Sequence, residues 1–290
     1  MNAKPFPETP DGLVAFAGPQ RPILLGGAAA LLDDLAVCLP DWRAMPADSG
    51  RADIAVEAVP RGYRVHCALF AEGSVESNRP LYAAGAISGA LTSLYAAQTE
   101  ELLLLHAAAT ATPAGLLIFL GDSMAGKSTL ALQLACQGQR IFADDRLALR
   151  PQDGGAIEGL SLGVAPKTRL PLPPGSGAAY AAFIETHCVA RNPGMAHLYL
   201  PPAIKAPLGE TAPARALIAI DRQDTPAPAV LEELSASQIL RDTLPKCLPS
   251  ELTSETLLAR TSALARALPG YRLRFSDSGA AASLIRSRFT

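Results

Sequence analysis

The pattern of apolar and polar positions changes near residue 100. Before it, short apolar runs alternate with turn residues. Residues 53–59 and 63–70 read as strands, and Arg61-Gly62 between them predicts a hairpin. Residues 12–17 are too irregular for a clean strand. Leu31, Leu32, Leu35 and Leu39 form one helical stripe within residues 26–39, bounded by a glycine pair and Pro40, which predicts a short helix. Residues 81–100 are small and apolar and predict a helix whose small face packs in a core. Residues 1–100 are therefore expected to form a small α+β unit without chemistry of its own.

From residue 101 the apolar runs become continuous. Residues 102–105 and 116–120 suit strands buried on both faces. The second run leads through glycines into a predicted helix at 127–137, then a strand over Arg140–Ala143 that ends in Asp144-Asp145. Strand, glycine loop, helix, strand is the order of a βαβ unit that binds phosphate, so the expected class is α/β. Residues 164–177, rich in Pro and Gly, predict a loop. A strand at 216–221, helices at 235–243 and 250–268, a strand at 271–275 and a helix at 279–288 complete a second domain over residues 101–290.

Composition narrows the function. Of 290 residues, 49% are hydrophobic and 18% charged, which describes a folded globular chain. A net charge of −2 offers no overall attraction to nucleic acid or to an acidic membrane, and neither is expected as a partner. The longest apolar region, 102–120, is interrupted by His106, Thr110, Thr112 and Pro113 and falls short of a span of about 20 residues. The first residues lack the basic-then-apolar pattern of a leader, so a cytoplasmic protein is expected. Five cysteines without a CxxC pair fit a reduced compartment, and the four histidines show no zinc-ligand spacing.

Candidate chemistry centres on one loop. Gly121, Asp122, Ser123, Met124, Ala125, Gly126, Lys127 and Ser128 fit G-x-x-x-x-G-K-[ST], with Thr129 next. Glycines let the backbone curl around an anion, loop amides donate inward, and a helix N-terminus favours negative charge. Lys127 would reach the β- and γ-phosphates of ATP, and the Ser128 hydroxyl would ligate Mg2+. Met124 stands where a small residue or glycine is common. Asp144 and Asp145 close a buried strand at the mouth of the sheet, where ligands bind. One can hold magnesium and the other can accept a proton from an attacking hydroxyl. Strand alternation allows only one of them to face the loop. His106 ends a leucine run directed at the same region. Lys167 and Arg169, clustered in the Pro-rich loop, are read as a clamp for the transition state or the acceptor, with Arg169 among the catalytic candidates.

These elements resemble the catalytic domain of the HPr kinase/phosphorylase family: a His at a strand end, then GDSGxGKS, a helix ending in a Gly-basic pair, and a strand ending ADD. Here they are His106, residues 121–128, Gly138-Gln139-Arg140 and Ala143-Asp144-Asp145. The match covers about 45 residues. It implies a fold like the HPr kinase and phosphoenolpyruvate carboxykinase domains, with ATP and Mg2+. Carried over by position, Asp145 resembles the general base, Asp144 assists with metal, and His106 lies near the transferred group. The family's Glu-Ile-Arg-Gly-Leu-Gly segment is matched only by Ile157-Glu158-Gly159-Leu160, which makes Glu158 the remnant metal-binding acid. Leu105-His106-Ala107, GKST at 126–129 and the stretch 167–171 are similar to shorter relatives that include lasso-peptide kinases. The resemblance therefore implies an ATP-dependent kinase acting on a serine of a peptide or protein, such as a ribosomal peptide product, and the family's hexamers make a homo-oligomer an expectation by analogy. A small-molecule kinase and a non-catalytic nucleotide-binding scaffold are the alternatives.

Overall fold

The computed structural model describes residues 12–99, 101–173, 176–248 and 252–289. Residues 174–175 of the predicted loop, residue 100 at the predicted boundary, and residues 250–251 at the start of a predicted helix lie outside them. The chain divides into two compact units, residues 1–100 with 249–251, and residues 101–248 with 252–290.

The first unit contains β1 (Val14–Phe16), β2 (Ile23–Gly26), α1 (Leu32–Cys38), β3 (Met45–Pro46), β4 (Ile54–Val59), β5 (Gly62–Cys67), β6 (Ser74–Ser77) and α2 (Pro80–Ala97). Its sheet runs β3-β1-β2-β4-β5-β6. The hairpin is tight, with Val59 opposite Gly62, while the irregular run at 12–17 does contain the three-residue β1. Pro80 starts α2, where a missing N–H costs nothing. Trp42 joins the helix to the sheet, with ring centroids 5.6 Å from Tyr95 and 6.2 Å from Phe16.

The second unit is built on β7 (Leu103–Leu105), β8 (Ala108–Thr112), β9 (Gly115–Leu120), α3 (Lys127–Cys136), β10 (Arg140–Ala143), β11 (Leu147–Pro151) and β12 (Ile157–Ser161). There follow β13 (Lys167–Arg169), α4 (Ala178–His187), β14 (Cys188–Asn192), β15 (Met195–Leu198), β16 (Thr211–Arg222), β17 (Val230–Leu234), α5 (Ala236–Thr243), α6 (Ser254–Ala267), β18 (Gly270–Phe275) and α7 (Ser278–Phe289). The main sheet runs β10-β8-β9-β16-β12-β11-β7, with β18 and then β17 joining at β16. It is mixed. β9 pairs in parallel with β16, as does β18, whereas β8, β10, β11, β12 and β7 pair antiparallel.

The strand–loop–helix–strand unit is present in a modified form. β8 lies between β9 and β10, so α3 crosses over an antiparallel neighbour. The weak Ala-Ala-Thr-Ala-Thr run of β8 carries little strand signal, because its small residues are set by what packs on them.

The continuous apolar run of β9 follows from burial on both faces. Leu116, Ile118 and Leu120 pack in a core with Ile239, Leu264 and Leu268. Leu117 and Phe119 pack with Leu130, Leu134, Ala281 and Ile285 on the other side. Each such fully buried side chain contributes about 1.5–3 kcal/mol. The region read as a loop, 164–177, contains the short β13. With β15 and β14 this makes a separate three-stranded sheet, and Tyr180 and Ile184 of α4 pack with its Ala196 and Leu198 and with Leu132 of α3. Among the described residues no helix is long and apolar enough to cross a membrane.

Candidate functional site

The glycine loop joins β9 to α3, and its local geometry requires its residues. A Cβ on Gly121 would lie 2.9 Å from the Cβ of Ala125. Gly126 caps α3 with φ +102°, in the left-handed region that favours glycine. Met124 is also left-handed, with φ +73°, which accounts for the small residues common at that place, and its side chain is exposed. Lys127 starts the helix. Its Nζ donates to the carbonyls of Gly121 (2.8 Å) and Asp122 (3.0 Å) and lies 3.0 Å from His106 Nε2. Burial lowers its pKa, opposed by Asp144 and Asp145.

His106 sits in the turn between β7 and β8, held by its N–H donating to Lys246 O at 2.7 Å. Its Nδ1 lies 3.1 Å from both Asp145 O and Asp145 Oδ1. Lys127 can only donate, so Nε2 accepts and Nδ1 carries the proton toward Asp145.

Both aspartates contact residues of the site, but only Asp145 lines its cavity, while Asp144 is buried behind it. Asp145 has left-handed φ, +67°, a conformation that aspartate tolerates better than most residues. The chain therefore leaves strand geometry between them. Asp144 turns to α3 and accepts from the Ser128 hydroxyl at 2.7 Å and from the Lys167 N–H at 3.2 Å. Asp145 pairs with Lys167 Nζ at 2.8 Å and with His106. Their electrostatics diverge. Burial, helped by the charge of Asp145, pushes the Asp144 carboxyl up, and the Ser128 hydrogen bond only partly offsets this. Burial also works to raise Asp145, but the His106 hydrogen bond and the Lys167 charge outweigh it and hold Asp145 well below the usual carboxylate range.

Around these groups lies a cavity of about 320 Å³. His106, Ser123, Met124, Gly126, Lys127, Ser128, Thr129, Asp145 and Arg169 all line it, so most of the candidate residues converge on one space. Asp122 stands just outside, in an ion pair with Lys246 that lowers its pKa.

Glu158 does not join them. It accepts from Arg150 at 2.6 and 2.9 Å and from Gln152 at 3.1 Å. It stands opposite Arg150, three positions along the β11–β12 ladder from the Leu147–Ser161 pair that is nearest Asp145 in sequence. At about 3.4 Å per residue this is on the order of 10 Å of strand, and the expectation of Glu158 as a metal ligand is corrected accordingly.

Three further residues escaped the sequence reading. Arg222 lines the cavity from the end of β16, a position that the predicted strand at 216–221 brought close. Lys246 comes from the segment after α5, and nothing in its surroundings marks it. His197 stands opposite Lys167 in the β13–β15 ladder; its Nε2 is buried without a partner among the described residues. Burial, with the Lys167 charge, lowers its pKa to about 4.

No family model matches the chain, and no curated protein matches it. Among solved structures, the Hpr(Ser) kinase/phosphatase from Coxiella burnetii is similar over 64% of this chain and 95% of its own, at 12% identity and a TM-score of 0.33. So distant a likeness carries no weight for activity, and the functional reading rests on the geometry above.

Proposed function

We propose that the protein is a kinase that transfers the γ-phosphoryl group of ATP to a serine hydroxyl of a peptide or protein. The observation that carries this is the convergence on one cavity of a glycine loop with Lys127, Ser128 backed by the buried Asp144, and Asp145 held by His106 and Lys167.

In this reading the loop amides and the N-terminus of α3 receive the phosphates, and Lys127 exchanges its carbonyl partners for phosphate oxygens. Ser128 and Asp144 offer hard oxygen donors, and among the described residues no third His, Cys, Asp or Glu completes a cluster. That donor set fits Mg2+, which binds through one or two protein oxygens and takes the rest from water and phosphate. Magnesium, when bound, neutralises charge on the phosphates.

Asp145, ionised because of its low pKa, accepts a hydrogen bond from the acceptor hydroxyl and orients it. The serine Oγ–P bond forms as the bond from the γ-phosphorus to the bridging oxygen breaks. ADP leaves, and the serine proton passes to the Asp145 carboxylate and on to water. A carboxylate this acidic serves more as an orienting group than as a strong base, which suits a loose transition state. His106, donating to Asp145 and accepting from Lys127, keeps base and phosphate donor in register.

The test has two parts. MgATP should raise the melting temperature, since a ligand of the native state stabilises by mass action, and γ-labelled ATP should label a serine peptide library. Asp145→Asn should keep the melting shift and lose transfer by about 10²–10⁴-fold. No shift at millimolar MgATP would remove the nucleotide site. A shift without transfer to any acceptor would leave a nucleotide-binding scaffold.

A further inference from the structure

Strand β13 presents an open edge at the rim of the cavity. It pairs with β15 as Lys167↔His197, Thr168↔Ala196 and Arg169↔Met195, and it is the terminal strand of its sheet. Two flanking bonds fix the parity of the ladder: Leu198 N–H to Pro166 O and Leu170 N–H to Gly194 O, both 2.9 Å. Hydrogen-bonded and non-hydrogen-bonded pairs alternate in an antiparallel ladder. Thr168 therefore turns its backbone groups to β15, while Lys167 and Arg169 turn theirs away from it. The Lys167 N–H accordingly reaches Asp144 Oδ2. The N–H and C=O of Arg169 meet no partner among the described residues.

Charge at the same rim has a direction. The side chains of Arg169 and Arg222 line the cavity, are exposed, and make no ion pair among the described residues. Lys127 and the loop amides already supply donors for phosphate. Arg169 lies on the Asp145 side instead, because Lys167, two residues along the same strand, touches Asp145. The unpaired Arg169 guanidinium on the strand itself, with Arg222 on the same cavity, complements carboxylate side chains on an extended chain.

We propose that the acceptor is an acidic peptide segment that adds as a strand to the outer edge of β13. It forms a hydrogen-bonded pair with the backbone of Arg169 and presents its serine to Asp145 about two residues, or roughly 7 Å, along the strand. This rests on the kinase reading and specifies its substrate: the backbone pairing sets the register, and Arg169 and Arg222 select Asp and Glu beside the serine.

The experiment uses the full chain, MgATP and a library of serine-centred dodecapeptides with degenerate flanks. Asp and Glu should be enriched among phosphorylated peptides. Arg169→Glu should raise KM for the best acidic peptide about 10-fold or more and shift selection toward Lys and Arg. An N-methyl scan of that peptide should show losses with a period of two, largest two residues from the serine on one side, since alternate N–H groups point away from β13. Selection blind to charge, losses without alternation, or an Arg169→Glu variant with unchanged peptide selection each overturns the proposal. So does a chain that MgATP stabilises but that phosphorylates no peptide in the library. If MgATP gives no shift at all, the kinase reading itself has failed, which the melting curve distinguishes.

Discussion

Both units carry exposed charged pairs, but among the described residues only the second also buries charged groups. In the first unit Arg64 bridges Glu57 at 3.3 Å and Glu76 at 2.5 Å across the outside of the sheet, and Arg21 holds Asp53 at 2.7 Å, with the Arg21 side chain 57% and the Asp53 side chain 15% exposed. In the second unit Lys127 and Asp144 are 6% and 1% exposed; Lys127 lines the cavity with Asp145, and Asp144 lies behind it, bonded to the lining residue Ser128. Exposed pairs are worth about 0–1 kcal/mol. Removing a charged group from water costs several kcal/mol before any partner offsets it. Of the buried charges, Lys127 and Asp144 accept that cost at the cavity, where a ligand of opposite charge or a metal can relieve it, while Lys205 is buried elsewhere in the unit against the Ala206 carbonyl. The first unit has a cavity too, lined by Arg61, Glu76 and Tyr82 among others, and the charged side chains Arg61 and Glu76 there are exposed. Burial of charge, more than the presence of charge or of a cavity, separates the two regions.

The largest effect should come from Lys127→Ala. It removes the buried cation that faces both loop carbonyls and His106, and under the proposed function it removes a phosphate donor. Turnover should fall on the order of 10²–10³-fold, and the MgATP melting shift should largely vanish. A variant that retained both would break the link drawn between burial and ligand.

Asp144→Asn comes next. Burial already disfavours the charged carboxylate, so an amide of the same shape should leave stability equal or higher while it weakens the metal side. The magnesium needed for half-maximal transfer should rise about 10–100-fold, with partial rescue by excess magnesium. If Asp145→Asn shows that behaviour and Asp144→Asn abolishes transfer at any magnesium concentration, the two roles are exchanged.

Much of this contrast was legible in the chain because local rules decide it. The loop needs glycine at 121 and 126, the helix begins at Lys127, and the buried run of β9 has no polar position to spare. The hairpin is likewise local, although its turn is at 60–61, one residue before the expected Arg61-Gly62, and so is the stripe of α1. What escaped depends on distant partners. β8 is a strand because β9 and β10 flank it, and α4 exists against α3 and β15. Glu158 looked like an available acid until the β11–β12 register set it opposite Arg150. The simultaneous approach of Asp144 and Asp145 depends on one left-handed residue. Lys246 reaches Asp122 across 124 residues of sequence, a distance that no pattern encodes.

A smaller effect concerns stability and pH. His197 is buried, and its pKa is lowered to about 4 by burial and by Lys167, against about 6.5 in an unfolded chain. Between those values the unfolded state binds more protons than the folded one, so stability falls as pH falls from about 6.5 toward 4 and is undiminished by this group above 6.5. Denaturant unfolding at pH 7.5 and pH 5 should show a loss in the wild type and a smaller loss in His197→Gln. Equal losses would mean that His197 reaches a proton acceptor in the folded state.

The smallest effects should lie in the first unit, and their size is what the comparison depends on. Arg21 donates to both Asp53 oxygens, at 2.9 and 2.7 Å, but Asp53 Oδ2 also accepts from the Leu24 N–H at 2.8 Å, tying β2 to the start of β4. Arg21→Ala removes an exposed partner and should cost a few tenths of a kcal/mol at most, less at high salt. Asp53→Ala removes the acceptor for a half-buried backbone donor as well and should cost about 1 kcal/mol or more. The order therefore follows the backbone hydrogen bond and not the ion pair, and urea unfolding of the two variants reads it directly. Neither substitution should alter the MgATP melting shift or the rate of transfer. A loss of turnover in Arg21→Ala at unchanged stability would show that an exposed pair in the first unit serves the chemistry after all, and burial of charge would no longer distinguish the two regions.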